Sequence, residues 1–153
     1  MITDIDYPSQ LPAPLREGYA IQHASPLMRT QMQSGRARQR RRFTSVPSVI
    51  SVSWIMTEVE AQLFEAWFRW SIVDGSKWFN VSLSTPTGRK PRVCRFTDIY
   101  NGPARLGPNR WRFTAQLEEV ERDTLGSLDV DFPDEIIYSD LFDKTMNRHW
   151  PEV

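Results

Sequence analysis

One cysteine, two histidines and no net charge set the first limits on this 153-residue chain. A single thiol, Cys94, excludes an internal disulfide framework and a multi-cysteine zinc site. His23 and His149 stand in no HExxH motif and beside no carboxylate cluster with metal-ligand spacing. GxGxxG, GxxxxGK[ST] and GxSxG are all missing, so neither a phosphate cradle nor a nucleophile elbow is indicated. No apolar run approaches the roughly 20 residues that a membrane span needs. The opening residues Met1-Ile2-Thr3-Asp4-Ile5-Asp6 have neither a basic segment nor an apolar stretch. No secretion signal is expected, and synthesis in the cytoplasm is. Nineteen Lys plus Arg balance nineteen Asp plus Glu. A bulk electrostatic grip on nucleic acid or anionic lipid is therefore not expected. Together these absences predict a protein without catalysis, cofactor, metal or small-molecule substrate.

The charge that is present is unevenly placed. Residues 1–122 carry 17 Lys/Arg and 11 Asp/Glu, net +6, while residues 123–153 carry 2 and 8, net −6. The change falls at Asp123-Thr124-Leu125-Gly126-Ser127, which reads as a boundary between a basic body (16–122) and an acidic C-terminal arm (123–153). The arm also holds Phe132, Ile136, Ile137, Tyr138, Leu141, Phe142 and Trp150. Disordered tails are usually poorer in large apolar groups, so an arm that docks on a neighbour is favoured over a solvated terminus. Residues 1–15 contain Pro8, Pro12 and Pro14 and read as an extended strap along the domain or a neighbour.

Within the body, one helix is well marked. Thr57 and Glu60 have capping-box spacing, and Glu58 and Glu60 suit the first turn. Val59, Leu63, Phe64, Trp67, Phe68 and Trp70 recur at helical spacing, and Asp74-Gly75 supplies a stop. We read a helix over about 58–72 with Leu63, Phe64, Trp67, Phe68 and Trp70 on its core face. Elsewhere the period is two. Ile50–Met56, Phe79–Leu83, Arg92–Asp98 and Trp111–Leu117 predict strands, with a hairpin turn at Thr85-Pro86-Thr87-Gly88. Tyr19–His23 and Arg38–Thr44 are weaker strand candidates. Asn101-Gly102-Pro103 and Gly107-Pro108-Asn109 bracket a predicted loop. The expected architecture is α+β: an antiparallel β-sandwich or split β-barrel, one flanking helix, and extended N- and C-terminal arms.

Three local groups invite a chemical reading. Cys94 sits on a predicted strand and reads as a small core residue. Glu118, Glu119 and Glu121 read as solvated surface, because a general acid/base pair needs two carboxylates facing one cleft. The run Gly35-Arg36-Ala37-Arg38-Gln39-Arg40-Arg41-Arg42 is the conspicuous feature. In a strand, Arg36, Arg38, Arg40 and Arg42 project to one face and offer guanidinium forks to phosphates or carboxylates. The partner is an acidic segment, with the chain's own arm one candidate; nucleic acid; or solvent along an edge strand.

The order of these features resembles the lambda-type minor tail proteins and related distal tail proteins of bacteriophages. Arg16-Glu17-Gly18-Tyr19-Ala20-Ile21-Gln22 is similar to the glycine-tyrosine turn near that family's start. The strand leading into a helix matches Ile50 to Trp70. Phe64, Phe68, Gly75, Trp78 and Phe79 match the helix phenylalanines, its terminal glycine and the aromatic strand after it. Trp111-Arg112-Phe113 and Leu117-Glu118-Glu119 match the closing strand. The resemblance covers residues 15–121, about 70% of the chain. It implies a virion protein that forms a ring, typically six-fold, linking the tail tube to the tip or baseplate, with other tail proteins as neighbours and DNA passing close by. A strongly basic lumen would retard a passing phosphate backbone, so the arginine face is not expected to line it. The acidic arm and the arginine run depart from the family pattern. A head–tail adaptor or collar of a short-tailed phage, and a nucleic-acid-binding module using Arg36–Arg42, remain the alternatives.

Overall fold

In the computed structural model, residues 3–149 are described, together with the side chains of all of these except 142, 143 and 146–149. The chain divides into two compact units, Met1–Arg122 and Asp123–Val153.

The first unit is an α+β domain whose strands run β1 (Ala20–His23), β2 (Leu27–Thr30), β3 (Arg38–Arg41), β4 (Ser48–Met56), β5 (Phe79–Thr85), β6 (Gly88–Phe96), β7 (Asn101–Gly107) and β8 (Arg110–Glu119). Helix α1 (Glu58–Trp70) lies between β4 and β5. Six strands form one antiparallel sheet in the order β1-β4-β8-β6-β5. β7 pairs with the first half of β8, from Arg110 to Thr114, and β6 with its last residues, Leu117 to Glu119. The sheet therefore forks along β8. β4 and β8 form its spine, paired over nine rungs from Ser48↔Glu119 to Met56↔Trp111.

Period-two alternation decides what these strands bury. Ile50, Val52, Trp54 and Met56 of β4 point inward with Phe113, Ala115 and Leu117 of β8, Phe79, Val81 and Leu83 of β5, and Cys94 and Phe96 of β6. α1 closes over this face. Its capping box forms as expected: the Glu60 N–H donates to Thr57 Oγ1 at 3.4 Å, and the Thr57 N–H donates to Glu60 Oε2 at 2.7 Å. The Glu58 N–H donates to Asn109 Oδ1 at 2.9 Å, tying the helix start to the β7–β8 turn. The helix ends at Trp70, two residues earlier than expected. Gly75 then has φ +85, and a Cβ there would meet the Phe96 Cβ at 3.0 Å, so the turn back to β5 requires glycine.

Only part of the expected helix face is core. Phe64, Trp67 and Phe68 are buried, and Phe64 packs on Trp54, Phe113 and Tyr100 at centroid distances of 5.0 to 5.4 Å. Leu63 and Trp70 are not core: they are 40% and 74% exposed. They fall, with Val59 and Ala66, on a separate stripe at spacings of four, three and four. One apolar arc had been read where there are two. β7 also corrects an expectation, since Asn101–Gly107 is a strand and not a loop. It lies outside the main strand path and pairs irregularly with β8. An outer strand tolerates the glycine and proline that a central one excludes.

The proline-rich segment is a strap on its own domain. The Tyr7 N–H donates to the Asn80 carbonyl and the Asn80 N–H to the Ile5 carbonyl, both at 2.8 Å, covering the β5 edge. Leu11 is buried, and Tyr7 packs on Trp54 and Trp67.

The C-terminal arm is not extended. It holds a single 3-10 turn (Asp129–Asp131) and helix α2 (Pro133–His149). Proline at the first helical position and Asp134 and Glu135 in the first turn favour that start.

Candidate functional site

β2 and β3 form a two-stranded sheet of their own, and all eight of their residues are exposed. The pairs are Leu27↔Arg41, Met28↔Arg40, Arg29↔Gln39 and Thr30↔Arg38. Paired residues share a face, so Met28, Thr30, Arg38 and Arg40 lie on one side and Leu27, Arg29, Gln39 and Arg41 on the other. The first side, with Met32, borders a shallow depression of about 530 Å³. Arg40 donates to Met28 Sδ at 3.8 Å across it.

The four arginines expected on one face are thus divided. Arg38 and Arg40 share a face of β3. Arg36 lies in the connection before the strand and Arg42 just beyond it. The Arg42 N–H donates to the Pro26 carbonyl at 2.7 Å, and its guanidinium sits 5.2 Å from the Phe43 ring centre. Arg29 and Arg41 add charge to the opposite face, which the sequence reading overlooked. The hairpin is cationic on both sides because Arg41 alternates with Arg40 along β3 and β2 adds Arg29 beside it. No carboxylate occurs between Glu17 and Glu58. Among the described residues, none of these six arginines forms a salt bridge.

In the second unit, Phe132, Ile136, Ile137, Tyr138 and Leu141 are all exposed, at 41–67%. No residue from Thr124 to Leu141 is buried. Helices draw most of their stability from packing an apolar face, and none of the described apolar side chains of this one is packed. The side chain of Phe142, and Trp150 altogether, lie outside the described residues.

A buried polar row crosses the core sheet at the opposite end from Trp54. Ser48, Glu119 and Cys94 are cross-strand neighbours, exposed by 0%, 3% and 0%. The Glu119 carboxylate lies 3.5 Å from Arg92 Nε. Ser48 Oγ is 2.7 Å from His23 Nδ1 on β1. Glu119 is therefore not solvated surface, and neither is Glu118 fully. Glu118 takes both Nε and Nη2 of Arg95 on one oxygen, at 2.8 and 2.7 Å, and Arg95 lies 4.6 Å over Trp78. The placement of Glu119 follows from phase: it shares the inward face of Leu117 and Ala115, as Ser48 shares that of Ile50 and Val52, while Glu118 on the other face is shielded by Arg95. The serine–histidine contact is not an open nucleophile, since Ser48 is sealed from solvent.

Burial pushes the Cys94 thiol up to about 12, with the Glu119 carboxylate adding to the effect and Arg92 opposing it. Its ordinary value is 9.0. The folded state thus holds the thiol proton more tightly. The stability this contributes is complete below pH 9 and is lost as pH rises toward 12. At pH 8 the native protein therefore holds less thiolate than the unfolded chain. Modification by a disulfide reagent is expected to be much slower in the native protein than in urea. An equal rate in both would contradict the buried placement.

On the sheet's other face, Ser51, Ser53, Thr114 and Gln116 floor a trough of about 530 Å³. Arg112 bonds Glu17 at 3.1 Å beside it. Glu17, Asp98 and Arg112 line it with these hydroxyls and amides, giving a polar, partly charged surface. Among the described residues, no group of three or more His, Cys, Asp or Glu is placed to hold a metal ion. No helix among them is long and apolar enough to cross a membrane.

The fold and these surfaces define a class: an α+β domain carrying an exposed cationic hairpin and a separate acidic helical unit. No protein-family model matches the chain, and no curated protein sequence matches it.

Proposed function

We propose that the chain is a structural subunit of a bacteriophage tail, a ring-forming protein at the distal end that joins the tail tube to the tip or baseplate. The observation that carries this is the β2–β3 hairpin. A two-stranded sheet exposed on both faces is marginal alone in water. Seating on a neighbouring copy supplies the missing packing, and a head-to-tail contact of this kind closes a ring when its rotation matches. The resemblance over residues 15–121 supports the tail assignment, and the forked antiparallel sheet with a flanking helix is compatible with it. In this reading the protein resides in the virion and works without catalysis.

The test is immunogold labelling of particles produced from the genome that encodes this chain, together with electron microscopy of the purified protein. The expected result is label at the distal end of the tail and annular particles in the purified sample. Label at the head–tail junction would move the protein to the adaptor role. Particles lacking the protein would overturn the proposal.

A further inference from the structure

We infer that the acidic unit Asp123–Val153 of one copy docks on the β2–β3 hairpin of the next, acting as the latch of the assembly. This rests on the ring reading above and names its contact. Three observations carry it. Among the described residues the hairpin's arginines have no carboxylate partner, and no acidic residue occurs in the forty positions between Glu17 and Glu58. The acidic unit carries net −6, matching in size the +6 of the remainder. Both surfaces also expose large apolar groups. Leu27 and Met32 are each 50% exposed, Ile137 is 67% and Leu141 is 56%.

Charge complementarity selects this pairing over the alternatives. Another exposed apolar surface is the Val59–Trp70 stripe of α1. That helix carries three glutamates against one arginine, which disfavours an acidic unit there. Nucleic acid would neutralise the arginines but leave Leu27, Met28 and Met32 in water. A docked α2 buries apolar area and answers the charge together. Opposed charge steers and registers the contact, while apolar burial supplies most of the affinity.

The experiment uses two full-length variants. The first reverses the hairpin (R29E, R36E, R38E, R40E and R41E). The second reverses the acidic unit (D129K, D131K, D134K and E135K). All these positions are exposed, and circular dichroism checks that each variant keeps its secondary structure. Association is read by sedimentation at low and moderate salt. The wild type is expected to assemble at low salt and weaken as salt rises. Each variant alone is expected to lose at least about 30-fold in association. Mixed one to one, the two variants regain assembly, because each carries the complement of the other. Wild type that stays monomeric, single variants that assemble normally, or a mixture that stays apart would each overturn the latch. Recovery only when both reversals share one chain would place the contact within a copy and overturn it likewise. Duplex DNA bound through the hairpin, with self-association unchanged by its reversal, would reassign the arginines to nucleic acid. These results need no phage particle. A latch that fails while the protein still labels the tail leaves the functional reading standing.

Discussion

Replacing Phe64 by alanine is expected to destabilise the first unit by about 3–5 kcal/mol, whereas replacing Trp70 by alanine costs about 1 kcal/mol or less. Phe64 is fully buried and touches Trp54 and Phe113, which are paired on the sheet, and Tyr100. Its loss leaves a cavity that three rigid aromatic neighbours cannot collapse to fill, so the transfer and cavity terms add. A domain this size holds only about 5–15 kcal/mol in total, so the variant sits near unfolding. Trp70 is 74% exposed, and its one notable contact is Arg69 at 5.2 Å. An exposed cation–π pair contributes about 0.5–1 kcal/mol. Urea unfolding of the two variants separates the cases. Equal losses would mean that the outer stripe of α1 is as buried as the inner one.

The second large effect is expected at Glu119. Glu119→Ala removes the buried counter-charge of Arg92, whose side chain is only 15% exposed. Breaking one side of such a pair costs about 3 kcal/mol or more, because the remaining charge keeps its desolvation penalty. The paired change Glu119→Leu with Arg92→Leu recovers much of this, since apolar residues of similar volume remove both penalties. Glu118→Ala, at a more exposed ion pair, costs about 1 kcal/mol. Chemical unfolding of the four proteins checks the order. A double variant less stable than Glu119→Ala would show that the row is held by its hydrogen bonds and not by the pair.

The wider consequence concerns assembly. The first unit has a closed aromatic core and a strapped sheet edge, so it is self-sufficient. The hairpin and the acidic unit differ: among the described residues, neither strand of the hairpin nor the segment from Thr124 to Leu141 buries a side chain. Under the proposed ring reading, such a subunit would fold before it assembles and hold its contact surfaces outside the core. That division suits a ring in which each copy must be soluble until it meets the next.

Much of the fold was legible in residue spacing. The strand alternation around Val52, Val81 and Phe113 and the Thr57–Glu60 capping box are local patterns, and local sterics and hydrogen bonding enforce them directly. The charge boundary at Asp123 was legible as well, because it is only a count. Other features were decided by neighbours far away in the chain. Trp70 and Phe64 are both aromatic at helical spacing, and only the position of the sheet under α1 separates surface from core. β7 carries loop-forming residues yet becomes a strand because β8 offers it an open edge. Glu119 has the phase of a core residue and the chemistry of a surface one, and burial won because Arg92 lies within reach. Arg36 and Arg42 leave the face that holds Arg38 and Arg40 because β2 pairs only with Arg38–Arg41. The sequence by itself determined which segments alternate, where the helix starts and where the charge changes sign. The tertiary structure alone decided which apolar and charged groups have partners, since burial depends on what lies across the gap and not on the residue itself.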